Sequence, residues 1–224
     1  MLLFGIAKTS IFPLQNWLLS AMVAEYPVSA VLHAVAVVNS GIFLLMKISI
    51  HIFGLEFISK IYLVKYIIAS GIFYSGIRAC LAKKIKELLA YSTINQMHLI
   101  MFSLFYVDNY ASSAISIAYN HSYLKLSLFG LFSIIYLLFK NNEISKLSHH
   151  INIKHSLLVI LFLILSWFLI GLPYSHNYHI KNEMLQLAKD NFSYYTLMAS
   201  SLISFCYLFR VLLSFFNIKK IKIK

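Results

Sequence analysis

Apolar residues in this chain come in long continuous runs, most of them close to the ~20 residues that a helix needs to cross a hydrocarbon core. The runs predict about seven membrane-spanning helices, over residues 1–22, 27–46, about 62–82, about 88–107, 112–139, 156–188 and 193–216. Two of them are broken. In MLLFGIAKTSIFPLQNWLLSAM, Pro13 lacks a backbone N–H and frees the carbonyl of Thr9, next to Lys8. In 156–188 the apolar run ends at Pro173, the polar gap YSHNYH follows, and IKNEMLQLA resumes helical periodicity, which places Lys181, Asn182 and Glu183 at the start of a half-helix. A bilayer tolerates a broken helix beside an ionisable residue where the break lines a polar cavity. Pro27 opens the second span at a favourable first helical position. Residues 47–61, with Lys47, His51, Glu56 and Lys60, read as a loop or interfacial segment.

The run 112–139 carries His121 and Lys125, four residues apart and therefore one turn apart on a single helical face. A lysine near mid-membrane costs roughly 2.5–3.5 kcal/mol, so something must offset it. A protonatable pair stacked in this way is the usual material of a proton relay. Snorkelling of Lys125 to a headgroup is the competing reading, set against apolar sequence that continues for more than three turns beyond it. No structural partner for Lys125 is evident other than its relay neighbours. His33, alone on an apolar face of the second span, reads on its own as structural.

Composition narrows the class. Hydrophobic residues make up 60% of the 224 and charged residues 12%, against ~25% charged in an average soluble domain, and the mean hydropathy is +0.79. The chain reads as an all-α integral membrane protein forming a single transmembrane domain over 1–224, with a basic tail at 217–224. Only 3 prolines and 7 glycines, with continuous rather than alternating apolar runs, argue against barrel strands. The net charge of +12 sits in loops and in the tail, so it reads as a topology signal and not as a nucleic-acid footprint. Lys83, Lys84, Lys86, Lys140, Lys146, Lys154 and the tail lysines fall on one side, Lys47, Lys60, Lys65 and Lys189 on the other; the first side is expected to face the cytoplasm or the matrix. Cys80 and Cys206 have no metal or redox spacing, so no redox centre is expected in this chain. His149, His150 and His155 lack a second ligand cluster and do not make a convincing metal site. No signal peptide, nucleotide loop, hydrolase triad or tandem repeat is apparent.

Four motifs in order carry a resemblance: KTSIFPLQNWLLSAM with PVSAVLHAVAVVNSG, then KIKELLAYSTINQM, then NHSYLKLSLF, then GLP followed by IKNEML. Together they resemble the antiporter-like subunit 5 of respiratory complex I, NADH:ubiquinone oxidoreductase, over nearly the whole chain. The resemblance implies the second half of an antiporter-like fold. It also implies a proton path through Lys8, His33, His121, Lys125 and Lys181, with Lys86 and Glu183 as secondary candidates. His33 thereby moves from structural to functional. Flavin, iron–sulfur clusters and ubiquinone are expected in other subunits and no cofactor in this chain. The expected partners are the other membrane-arm subunits, lipids and a separate polypeptide supplying the helices that normally precede Met1, with no nucleic acid. The expected location is the mitochondrial inner membrane, or alternatively a bacterial plasma membrane. A large subunit of a multi-subunit cation/proton antiporter and a scaffold remnant that does not pump are the rival readings. The chain departs from the family pattern at Asn182, where an Asp is usual, at Ile117, where many members have His, and at Leu19, Glu25 and Tyr26.

Restoring Asp at position 182 is expected to be tolerated, because Asn and Asp are nearly isosteric and the half-helix already carries Lys181 and Glu183. Loss of assembly in Asn182→Asp would show a dry, hydrogen-bonded site instead.

Overall fold

The computed structural model describes residues 2–53, 62–106, 111–147, 156–188 and 190–216, and these are almost entirely helical. Glu56, Lys60, Lys154, Lys189, the histidines at 149, 150 and 155, and the tail 217–224 lie outside the described residues. Helix α1 (Leu2–Lys8) breaks and resumes as α2 (Asn16–Ser20), which tightens into a 3-10 turn at Ala21–Val23. Helix α3 starts at Tyr26–Ala30, widens to π geometry over Val31–Ala36, returns to α over Val37–Ile48 and ends in a second π segment, Ser49–Phe53. Then follow α4 (Tyr62–Leu81), α5 (Ile85–Tyr106) and α6 (Ala111–Phe139). The second broken pair is α7 (Ser156–Ile170) with α8 (His176–Gln186), and α9 (Asn191–Phe216) closes the order. Among the described residues, four stretches are long and apolar enough to cross a membrane: Tyr26–Ile52, Ile85–Phe105, Ser112–Phe139 and Asn191–Phe216. Helix α4 and the two broken pairs account for the remaining spans expected from the sequence.

Residues 47–53 correct one expectation. They continue α3 instead of forming a loop, because Lys47 and His51 fall on exposed faces and the helix extends without burying either side chain. The Lys47 ammonium lies 4.9 Å from the centre of the Phe43 ring, one turn back. The second half-helix also starts earlier than the polar gap suggested. The Ser175 hydroxyl accepts the Tyr178 N–H at 3.1 Å as an N-cap, which places Lys181 in the second turn.

Helix α5 is the axis of the bundle. It is buried along its length from Leu88 to Phe105 although it carries Ser92, Thr93, Asn95, Gln96, His98 and Ser103. It pairs with α4 as a hairpin and also packs against α6, α9 and the break of the first helix. Polar side chains in a membrane face the protein interior, so the most polar long helix takes the centre. Helix α7, SLLVILFLILSWFLI, exposes Leu157, Ile160, Leu163 and Trp167 instead, as a lipid-facing helix should.

Two backbone bonds clamp the α4–α5 loop to the segment after α6: Ile85 N–H to Asn142 O at 2.9 Å and Ile144 N–H to Lys83 O at 3.1 Å. Lys83, Lys84, Lys140 and Lys146 therefore share one end, as the loop-charge grouping required. At the other end, Lys65 on α4 donates to Asp190 at 2.5 Å, just before α9. Burial works to raise the Asp190 carboxyl, but hydrogen bonds from Lys65 and Ser193 outweigh it and hold the carboxyl below its usual range. A depressed carboxylate stabilises the fold above its unfolded value near 4, and that contribution is lost as pH falls through the folded value. Asp190→Asn is expected to cost about 1 kcal/mol at pH 7, since one partner is exposed. The difference from the parent should shrink as pH falls below about 4 and vanish only below the depressed folded value. Melting curves of the detergent-solubilised protein at both pH values check this, and a pH-independent difference would refute it.

Candidate functional site

Helix α6 places Lys125 and His121 one turn apart, facing the bundle, and both are buried, at 0% and 1% exposure. The Lys125 ammonium donates to the carbonyl of Leu89 at 3.4 Å and to the hydroxyl of Ser92, both on α5. This corrects the expectation that Lys125 has no structural partner: α5 holds it, from a position no intrahelical spacing reveals. His121 lies within electrostatic range of Lys125, and neither of its ring nitrogens has a hydrogen-bond partner among the described residues.

His33 lies on the first π segment of α3, fully buried, and the group its ring faces for hydrogen bonding is the backbone of Ala21. Its ring centre is 6.5 Å from that of Trp17, on α2. A π segment inserts an extra residue per turn and re-aims the side chains on it, and such bulges are frequent at functional sites. This segment packs against α6. Six residues after His33, Asn39 donates to Ser122, the neighbour of His121, at 2.5 Å. The segment of α3 that carries His33 thus packs against α6, the helix that carries His121 and Lys125.

Lys8 ends α1, half-buried beside the break, where a cation complements the negative end of the helix dipole. Thr9 bonds back to the carbonyls of Gly5 and Ile6 at 3.1 and 2.9 Å. A Cβ on Gly41 of α3 would come within 2.8 Å of Thr9, so the two backbones touch. Trp17 donates its indole N–H to Ala7 O at 2.7 Å across the gap.

Lys181 stands on the far side of the second break, in the second turn of α8. Its ammonium donates to Ile170 O at 2.7 Å, satisfying a terminal carbonyl of α7, and a small cavity beside it is lined by Leu99, Ser200 and Ser201. Asn177 ties the same break together by donating to Phe168 O at 2.9 Å and accepting from Asn120 of α6 at 3.0 Å. A cavity of about 510 Å³ lies between α6, α7 and this break; Leu124, Ile164, Leu165 and Phe168 make its wall largely apolar, with Asn120, Asn177 and His176 as its polar members.

The secondary candidates sit further out. Lys86 donates to Ala24 O at 2.6 Å, with its ammonium 4.9 Å from the Tyr26 ring centre, so it caps the 3-10 turn that follows α2. Asn182 and Glu183 are both exposed on α8. Sequence reasoning passed over the polar side chains of α5: Ser92, which receives Lys125; Asn95, which donates to Ile72 O at 2.8 Å; Gln96, which reaches Ser204 of α9 at 3.4 Å; and His98. The signal was present in STINQMHL, too polar to face lipid.

Comparison with known proteins follows the same lines. The sequence model of the NADH:quinone oxidoreductase/Mrp antiporter transmembrane family matches residues 1–206. NADH-ubiquinone oxidoreductase chain 5 of Acanthamoeba castellanii is 30% identical over 191 residues, 84% of this chain and 27% of the relative. A putative antiporter subunit of Staphylococcus haemolyticus is 42% identical over 102 residues, 45% of this chain and 12% of its own. The chain therefore spans little more than a quarter of the Acanthamoeba relative's length. A chain of the membrane-bound sulfane sulfur reductase, an archaeal respiratory membrane complex, superposes with a TM-score of 0.84 at 19% identity, covering 96% of this chain and 45% of that one. A chain of the Mrp complex from a Dietzia species gives 0.81 at 18%, covering 96% and 40%. At such identities the likeness is one of fold.

Gly171, at φ +81, turns the chain out of α7, and a Cβ there would meet Lys181 Cδ at 3.1 Å and the Asn177 carbonyl at 3.3 Å. Gly171→Ala is expected to destabilise the protein by about 1–2 kcal/mol, the cost of a left-handed L-residue. Thermal unfolding of the purified protein measures it, and an unchanged midpoint would show that the break relaxes freely.

Proposed function

We propose, for a chain that belongs to the NADH:quinone oxidoreductase/Mrp antiporter transmembrane family, that it carries protons across a membrane in the membrane arm of NADH:ubiquinone oxidoreductase. The single observation that carries this reading is the buried His121/Lys125 pair on one face of an apolar span. The relay runs through Lys8, His33, His121, Lys125 and Lys181. A lysine ammonium buried in a bilayer is costly, so a change in a neighbouring charge is enough to drive its proton on or off. Lys125 Nζ holds its proton against Leu89 O and Ser92 Oγ; on release, an unpartnered ring nitrogen of His121 one turn away receives it. A neutral imidazole accepts at one nitrogen and donates from the other, so His33 and His121 pass protons between the lysines at the two breaks. Lys86 and Glu183 lie at the edge of this path.

The energy comes from redox chemistry in other subunits, where flavin, iron–sulfur clusters and ubiquinone belong. The rest of the antiporter-like fold packs against these helices, and the proposed location is the mitochondrial inner membrane. A multi-subunit cation/proton antiporter is the second reading, favoured by the staphylococcal relative. Copurifying flavin and iron–sulfur subunits decide for the first.

Lys125→Met preserves much of the side-chain volume and removes the charge. Proton translocation per electron in reconstituted vesicles is expected to fall about tenfold or more, with the assembled complex still present on native gels. Unchanged pumping would leave a scaffold as the better account.

A further inference from the structure

The break of the first helix strands backbone donors in a medium that offers no water. Thr9, Ser10, Ile11 and Leu14 donate to nearby backbone carbonyls, and Pro13 has no N–H. Phe12 N–H reaches instead across the bundle to Nε2 of His98 on α5, at 2.9 Å. His98 is fully buried, and its Nδ1 lies 2.8 Å from Ile94 O on the preceding turn. A carbonyl only accepts, so Nδ1 carries the hydrogen; Nε2 receives an N–H, so it presents a lone pair. The two bonds select one neutral tautomer.

Helix α4 is shaped to admit this ring. A Cβ on Gly71 would lie 2.1 Å from His98 Nε2 and 2.2 Å from Cδ2, so any larger residue displaces the imidazole. The Phe12 ring lies 5.7 Å from that of Tyr74, one turn along the same helix. Helix α5 also supplies Ser92 to Lys125, and Ser92 and His98 are separated by about 9 Å of helical rise. One rod thus grips both the first break and the acceptor of the central lysine.

We propose that His98 is a positioning residue: its Nε2 lone pair fixes Phe12, and with it the broken helix that ends in Lys8, in a set relation to Lys125. The proposal rests on reading Lys8 and Lys125 as proton-path residues, and its test includes a readout independent of that reading. In the assembled complex, His98→Leu and Gly71→Ala are expected to raise amide exchange over residues 9–14 about tenfold and to lower pumping by a similar factor. His98→Gln places an amide oxygen near the Nε2 position, keeps an acceptor and is not a titrating group, so it should restore both. If His98→Leu leaves exchange and pumping at parental values, His98 is a packing residue and the proposal fails. Parental exchange with lost pumping in His98→Gln makes the ring a proton carrier, which also overturns it. Should His98→Leu not assemble, His98→Gln decides alone: raised exchange refutes the proposal, parental exchange with pumping retained supports it. Normal pumping in Lys125→Met would remove the relay reading, while exchange over residues 9–14 would still report on the His98 bond.

Discussion

A polar group carried into a bilayer has to find its partner inside the protein, because the hydrocarbon offers none, and α5 is where this chain meets that demand. Its serines, amides and histidine would make it a poor lipid-facing span. Wrapped on every side, the same residues become the inner lining of the bundle, taking hydrogen bonds from Lys125 and the first break and giving them to α4 and α9. The apolar helices are displaced outward as a consequence. The arrangement inverts that of a soluble bundle, with the most hydrophobic helix, α7, at the lipid boundary.

The two breaks obey the same constraint by different means. At the first, the donors stranded by the interruption are shared between local carbonyls and His98, and Trp17 bridges back to Ala7. At the second, the stranded groups are mostly carbonyls, and they are met by donors: Lys181 on Ile170, Asn177 on Phe168 and Trp167 on Pro173. A lysine stands at each, so the interruptions that a membrane helix can least tolerate coincide with the charges it can least afford. Each lessens the difficulty of the other, since freed backbone dipoles and a confined ammonium are mutual partners.

Much of this was legible from the order of residues alone. Uninterrupted apolar runs demand helices in a membrane, Pro13 and Pro173 forbid continuation where the breaks occur, and an i, i+4 spacing puts His121 and Lys125 on one face whatever surrounds them. These follow from local geometry, which sequence specifies directly. The extension of α3 through Phe53 was not legible, because exposed Lys47 and His51 look the same in a loop as on the outer face of a helix. Nor was the start of α8, which the Ser175 cap sets ahead of the apolar periodicity. The tertiary structure alone decided which side chains meet: Ser92 finds Lys125 across 33 residues and His98 finds Phe12 across 86. Such pairings depend on how helices are rotated and stacked against one another, and that is a property of the packed bundle that no spacing along one helix contains.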